Sequence, residues 1–140
     1  MHRIDHIYID GAFVTPHGEE RFALFNPATE AVIGHVRLAD DVDAAHAVAA
    51  AKRAFATFSR TPPRVRIDML LRMHAAVLAR EDDLLDAIVE EYGAPASRAR
   101  WMARHASEVL RDAARVLDSY AFTRRMGTSE VVMQPLGVAG

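Results

Sequence analysis

Seven histidines, nineteen acidic side chains and no cysteine define the chemistry open to this 140-residue chain. Lack of a thiol excludes a thiolate nucleophile, a disulfide or a Cys-ligated zinc within the sequence. Imidazole and carboxylate chemistry remains. His2 and His6 stand four apart, but in a tail or strand that spacing does not converge on a metal. His46, His74 and His105 fall on different predicted helices, and His74, on an apolar stripe, reads as a satisfied core histidine. Asp43, His46 and Ser59 have the residue types of a hydrolase trio. Nothing around Ser59 resembles a strand-turn-helix nucleophile elbow, and it reads instead as a helix terminator. Gly137-Val138-Ala139-Gly140 resembles a phosphate-cradling loop only superficially, because no helix follows to supply backbone donors.

The elements that must position these groups follow from periodicity. Apolar residues at 7, 9, 13 and 14 flank Asp10-Gly11, which predicts a hairpin with strands over 6–9 and 12–15. A second hairpin is expected from 21–25 to 31–36 through Asn26-Pro27-Ala28-Thr29-Glu30, with Asn26 closing an Asx turn. From Asp40 the period becomes helical. Ala44, Val48, Ala51, Phe55 and Phe58 share one face of a first helix ending near Ser59, with Asp40 as its N-cap. Thr61 is the expected cap of a second, whose stripe is Ile67, Leu70, Leu71, His74, Val77 and Leu78. A third begins at Glu81-Asp82-Asp83 and is ended by Gly93 and Pro95. A fourth covers 96–122, with Met102, Ala106, Val109, Ala113, Val116, Leu117 and Tyr120 on its apolar face. Arg100, Arg104, Arg111 and Arg115 lie opposite, diluted by Glu108, Asp112 and Asp118 into a solvated face. Trp101 reads equally as a core plug or an interface anchor. Residues 124–129 read as a polar link into a strand over 130–139 that heads into a glycine-bearing turn at Gly140. The fold class is therefore α+β, in one segment over 1–140: hairpins over 6–36, about four helices over 40–122, then a carboxy-terminal strand.

Composition bounds the partners. Hydrophobic residues make up 51% and charged residues 26% of the chain, ordinary values for a globular protein. With 17 basic and 19 acidic residues interspersed, no field of one sign exists to attract nucleic acid or an anionic membrane. No apolar run suits a secretory signal or a membrane span, so a soluble cytoplasmic protein is expected.

Several segments, taken in order, resemble the amino-terminal part of the NAD(P)-dependent aldehyde dehydrogenases. They are Tyr8-Ile9-Asp10-Gly11-Ala12-Phe13-Val14, Asn26-Pro27-Ala28-Thr29 before an apolar strand, and Asp41-Val42-Asp43-Ala44-Ala45 opening an alanine-rich helix. Arg64-Val65-Arg66, Glu90-Glu91-Tyr92-Gly93-Ala94-Pro95 and Pro135-Leu136-Gly137-Val138 complete the set. Ala94 stands where lysine is commoner in that family.

The resemblance implies a piece of the aldehyde dehydrogenase fold without a Rossmann sheet of its own. In the family, the cofactor-binding elements, the general-base glutamate and the cysteine nucleophile all lie beyond the matching part. By that resemblance full-length relatives oxidise an aldehyde to a carboxylic acid with NAD or NADP. This chain alone is expected to bind neither cofactor and to be inactive. The resemblance also implies a monovalent cation site using the main-chain carbonyls of Leu24 and Phe25 and the carboxylate of Glu91, oxygen ligands that suit a hard cation. The alternative for Glu91 is a solvated helix-end carboxylate. Exposed strand edges and apolar helix faces predict a homo-oligomer. The rival reading is a free-standing module that acts through self-association without chemistry.

Overall fold

Asp10-Gly11 makes the turn its composition predicts, as the computed structural model, which describes residues 2–139, shows. Its φ values, 54° and 84°, are both positive, so the turn's twist matches the strands it joins, β2 (Ile7–Ile9) and β3 (Ala12–Val14). The second hairpin also forms, between β4 (Arg21–Phe25) and β5 (Val32–Arg37). Asn26 Oδ1 accepts from the amides of Ala28 (2.9 Å) and Thr29 (3.0 Å), and the Asn26 amide donates to Ala31 O at 2.9 Å. The expected Asx turn is thus a closed one.

One strand is absent from the sequence reading. His2–Ile4, β1, pairs parallel with the free edge of β5, His2 opposite Gly34 and Ile4 opposite Val36, to give the order β1-β5-β4. Three residues carry no readable period, and their partner lies about thirty positions away. The other end needs a correction. The presumed link contains β6 (Thr123–Met126), which Gly127-Thr128 turns into β7 (Ser129–Val132). The final strand stops at Val132 instead of running through 130–139. This ribbon is exposed on nearly every residue, so it lacks the apolar alternation that marks a half-buried strand. Gly140 lies outside the described residues.

The helices follow their caps. Asp40 accepts from the amides of Val42 and Asp43 while Asp43 accepts from Asp40's own amide, a reciprocal box that starts α1 (Asp41–Phe58). Ser59 ends it. Helix α2 (Pro63–Leu78) opens on Pro63 with Pro62 at the cap position, so Thr61 does not cap it; two prolines already supply the extended entry and the fixed φ of a first turn. Helix α3 (Glu81–Ala87) widens into a π-helical turn over Ile88–Tyr92 and ends at Gly93, whose φ of 72° is left-handed. Helix α4 (Ala96–Ser119) stops three residues before the expected 122.

Packing departs more from expectation than topology does. Helix α2 lies along α4, and the buried residues of α4 are Ala99, Ala103, Ser107 and Ala114, small side chains that let the helices approach closely. His74, half-buried, donates from Nδ1 to Ser107 O at 2.8 Å, so it is satisfied as expected but sits at the helix seam and not in a closed core. The larger apolar face expected to be buried is instead largely in water: Val109 is 45% exposed, Val116 64% and Tyr120 47%. Val48 and Phe58 of α1 are likewise exposed. The accessible surface totals 10541 Å², against about 7,200 Å² for a self-contained monomer of this length. The helical period holds, but the face that packs is the small-residue one, and the larger apolar stripe is left exposed.

Candidate functional site

The densest polar constellation ties the loop 15–20 to the start of α1. Asp43, 5% exposed, accepts from the His17 amide on Oδ1 (2.9 Å) and from the amides of Gly18 and Asp40 on Oδ2 (both 3.1 Å). These donations, that of His17 foremost, outweigh burial and hold its carboxyl down at about 2. His17 Nδ1 lies 2.6 Å from Asp40 Oδ2. That hydrogen bond raises the imidazole pKa, aided by the charges of Asp40, Asp43 and Asp41, and lowers that of Asp40. Arg37 closes the loop from the other side by donating to Gly18 O at 2.6 Å.

This cluster is a clip, and its chemistry is spent on backbone donors. Asp43 makes no hydrogen bond to His46, and Ser59 lies sixteen residues along the helix, about 24 Å away, so the three do not converge. His46 instead lines a shallow cleft with Asp10, His17, Asp43 and Arg53, in which Arg53 and Asp10 form an ion pair of 2.8 Å. Sequence reasoning did not single out His17. The acidic pair at positions 40 and 43, following a Pro-His-Gly loop, is the signal that could have found it.

Among the described residues no group of three or more His, Asp or Glu is placed to hold a metal ion. His2 is engaged elsewhere, 2.9 Å from Glu90 Oε2, and this contact ties β1 to the π-helical turn. Trp101 plugs no core. It is half exposed on α4, sandwiched between the Arg98 guanidinium (4.2 Å from the ring centroid) and the nearly parallel His105 ring (4.7 Å).

The residues expected to hold a monovalent cation lie in neighbouring segments. A Cβ built on Gly93 would come within 2.6 Å of Pro27 Cγ, so the end of the π-helical turn rests on the β4–β5 turn. Leu24 and Phe25 stand three and two residues before Pro27, where the ladder shifts register, and Glu91 stands two before Gly93. Glu91 is exposed and, among the described residues, makes no ion pair, whereas Glu90 is held by His2. This placement suits one carboxylate and main-chain oxygens at a strand end.

Known proteins resemble this chain in both sequence and fold. The aldehyde dehydrogenase family profile matches residues 13–140. A curated relative, the 3-succinoylsemialdehyde-pyridine dehydrogenase of a Pseudomonas species, is 36% identical over 135 residues, covering 95% of this chain and 28% of its own. Putative aldehyde dehydrogenases of Staphylococcus aureus match at 35–36% with the same coverage. Among solved structures, a variant of aldehyde dehydrogenase C from Pseudomonas syringae, in complex with NAD+ and octanal, superposes with a TM-score of 0.82. It is 39% identical, over 89% of this chain and 26% of that one. An aldehyde dehydrogenase from Bartonella henselae shares the fold with a TM-score of 0.86 at 24% identity, over 92% of this chain and 28% of that one. The chain thus spans about 28% of the length of the curated relatives it matches. With the profile covering nearly the whole sequence and relatives above 30% identity, this chain belongs to the aldehyde dehydrogenase family.

Proposed function

We propose that the chain is the amino-terminal scaffold of an NAD(P)-dependent aldehyde dehydrogenase, and that it neither binds the cofactor nor turns over substrate alone. The observation that carries this reading is the family match over 13–140 in a sequence with no cysteine, whose described strands form sheets of only three, two and two. Nucleophilic attack on an aldehyde needs an activated thiolate or its equivalent, and a dinucleotide needs a parallel sheet opening onto a helix N-terminus. In the whole protein the expected reaction is oxidation of an aldehyde to a carboxylic acid with NAD or NADP. In that context Leu24 O, Phe25 O and the Glu91 carboxylate would hold a monovalent cation that fastens the π-helical turn to the β4–β5 turn. The test is direct. The purified 140-residue chain, mixed with NAD+ or NADP+ and a panel of aliphatic and aromatic aldehydes, is expected to yield no reduced cofactor absorbance. Sustained turnover by the verified chain would refute the reading.

A second reading, self-association, is favoured by the surplus of accessible surface. About 800 Å² per partner suffices for a stable dimer, and the isolated chain exposes roughly 3,000 Å² beyond what a closed monomer needs. The β6–β7 ribbon adds unpaired edges. Sedimentation at micromolar concentration should show a homodimer or larger species; a compact monomer throughout would sink this second reading. No helix is long and apolar enough to cross a membrane among the described residues.

A further inference from the structure

Two grooves beside α2 share two wall residues, Arg66 and Leu117, of which Arg66 alone is charged. One runs over Phe58, Met69 and Met73. The wider one lies between α2 and the end of α4 and is closed by Phe122, Met133 and Pro135. Both are predominantly apolar, and Arg66 is a cation set into their shared ridge. It donates to Ser59 O at 3.0 Å and lies over the Phe58 ring at 5.8 Å, while its Nε is buried with no hydrogen-bond partner. Among the described residues no carboxylate comes within ion-pairing distance of it. A half-buried guanidinium in an apolar wall, with only a neutral carbonyl and an aromatic face for company, is under-compensated. Guanidinium geometry favours a planar carboxylate above other anions of a polypeptide, and the surrounding walls favour apolar side chains.

We propose that Arg66 is the docking cation of this face: it pairs with a carboxylate carried on an otherwise apolar segment of the remaining part of an aldehyde dehydrogenase polypeptide. This rests on the scaffold reading above. Charge complementarity selects the occupant, since a purely apolar segment would bury the guanidinium unpaired. The length of the relatives supplies the source, because most of their chain lies outside the portion matched here. The exposed Val116 and Tyr120 are the apolar contacts that such a segment would cover.

The experiment is a chimera in which this chain replaces the matching portion of the Pseudomonas 3-succinoylsemialdehyde-pyridine dehydrogenase, so that a full-length polypeptide is tested. Urea unfolding and dehydrogenase activity are followed for the chimera, for Arg66→Met and for Arg66→Lys. Each Asp and Glu of the grafted-on remainder is changed to Asn or Gln in the Arg66 and Arg66→Met backgrounds. The expected result is a folded chimera whose folding equilibrium constant falls at least ten-fold with Arg66→Met and by less with Arg66→Lys. One acid is expected to cost nothing further once Arg66 is lost, and that non-additivity is something a general loss of packing would not produce. If the chimera folds but Arg66→Met is neutral, or no acid couples to it, the Arg66 proposal falls and the scaffold reading stands. If the chimera does not fold, the scaffold reading falls and the proposal with it.

Discussion

Replacing Asp43 by alanine should cost this chain more thermal stability than any other single carboxylate removal, on the order of 10 °C in melting temperature. Three amides, from His17, Gly18 and Asp40, converge on this one buried side chain, and alanine would leave all three without an acceptor. The capping box would lose one half, so α1 should fray at its first turn as the 15–20 loop lifts. Circular dichroism melts test this, and a shift under about 2 °C would contradict it. The pH dependence carries a sign. Asp43 has a folded pKa of about 2 against the ordinary aspartate value of 3.8, so its contribution is complete above the higher value and is lost as pH falls through the lower. Asp40 and Asp5 shift the same way; for Asp5, burial opposes but the hydrogen bonds and charges of Arg3 and Arg21 prevail. His17 shifts upward, so its contribution is complete below 6.5 and is lost as pH rises through its raised value. Melting temperature should therefore peak between about 4 and 6.5 and decline on both sides. Asp43→Asn should flatten the acid limb and, by removing one of the charges that raise His17, soften the alkaline one, which the Asp40 hydrogen bond mainly sustains.

Gly93→Ala should lower the melting temperature by roughly 5–10 °C. Two costs act together: a left-handed residue gains a Cβ, a strain of about 1–3 kcal/mol, and that Cβ meets Pro27 Cγ at 2.6 Å. They can be separated. Asparagine tolerates the left-handed region, so Gly93→Asn mainly keeps the collision, and adding Pro27→Ala should recover part of the loss. Recovery would be read by thermal melts together with hydrogen exchange at the Asn26 amide, whose bond to Ala31 closes the turn. If Pro27→Ala restores nothing, the two turns are not braced against each other, and the expected cation ligands are not held together.

Legibility in the sequence tracked locality. The Asp10-Gly11 and Asn26-Pro27 turns, the Asp40 cap and the glycine stop at 93 are set by residues within four positions, and all could be read. The parallel strand His2–Ile4 could not, because its partner is far along the chain. Nor could the β6–β7 ribbon, whose exposed faces carry no alternating pattern. The stripe of α4 shows a subtler limit. Periodicity finds an apolar face but not which neighbour covers it, and here alanines and a serine make the seam while valines and a tyrosine face water. The proposed cation ligands, Leu24, Phe25 and Glu91, come only from family resemblance, since main-chain carbonyls leave no mark on composition.

The pairing of His2–Ile4 with β5 bears on how the protein is made. Those residues leave the ribosome before the strand they join, which is complete only when Arg37 has followed. Until then this strand has no ladder to enter, and the β5 edge must form before it can dock. Bulk placed directly before His2 would accordingly burden a pairing that already has to wait for its partner.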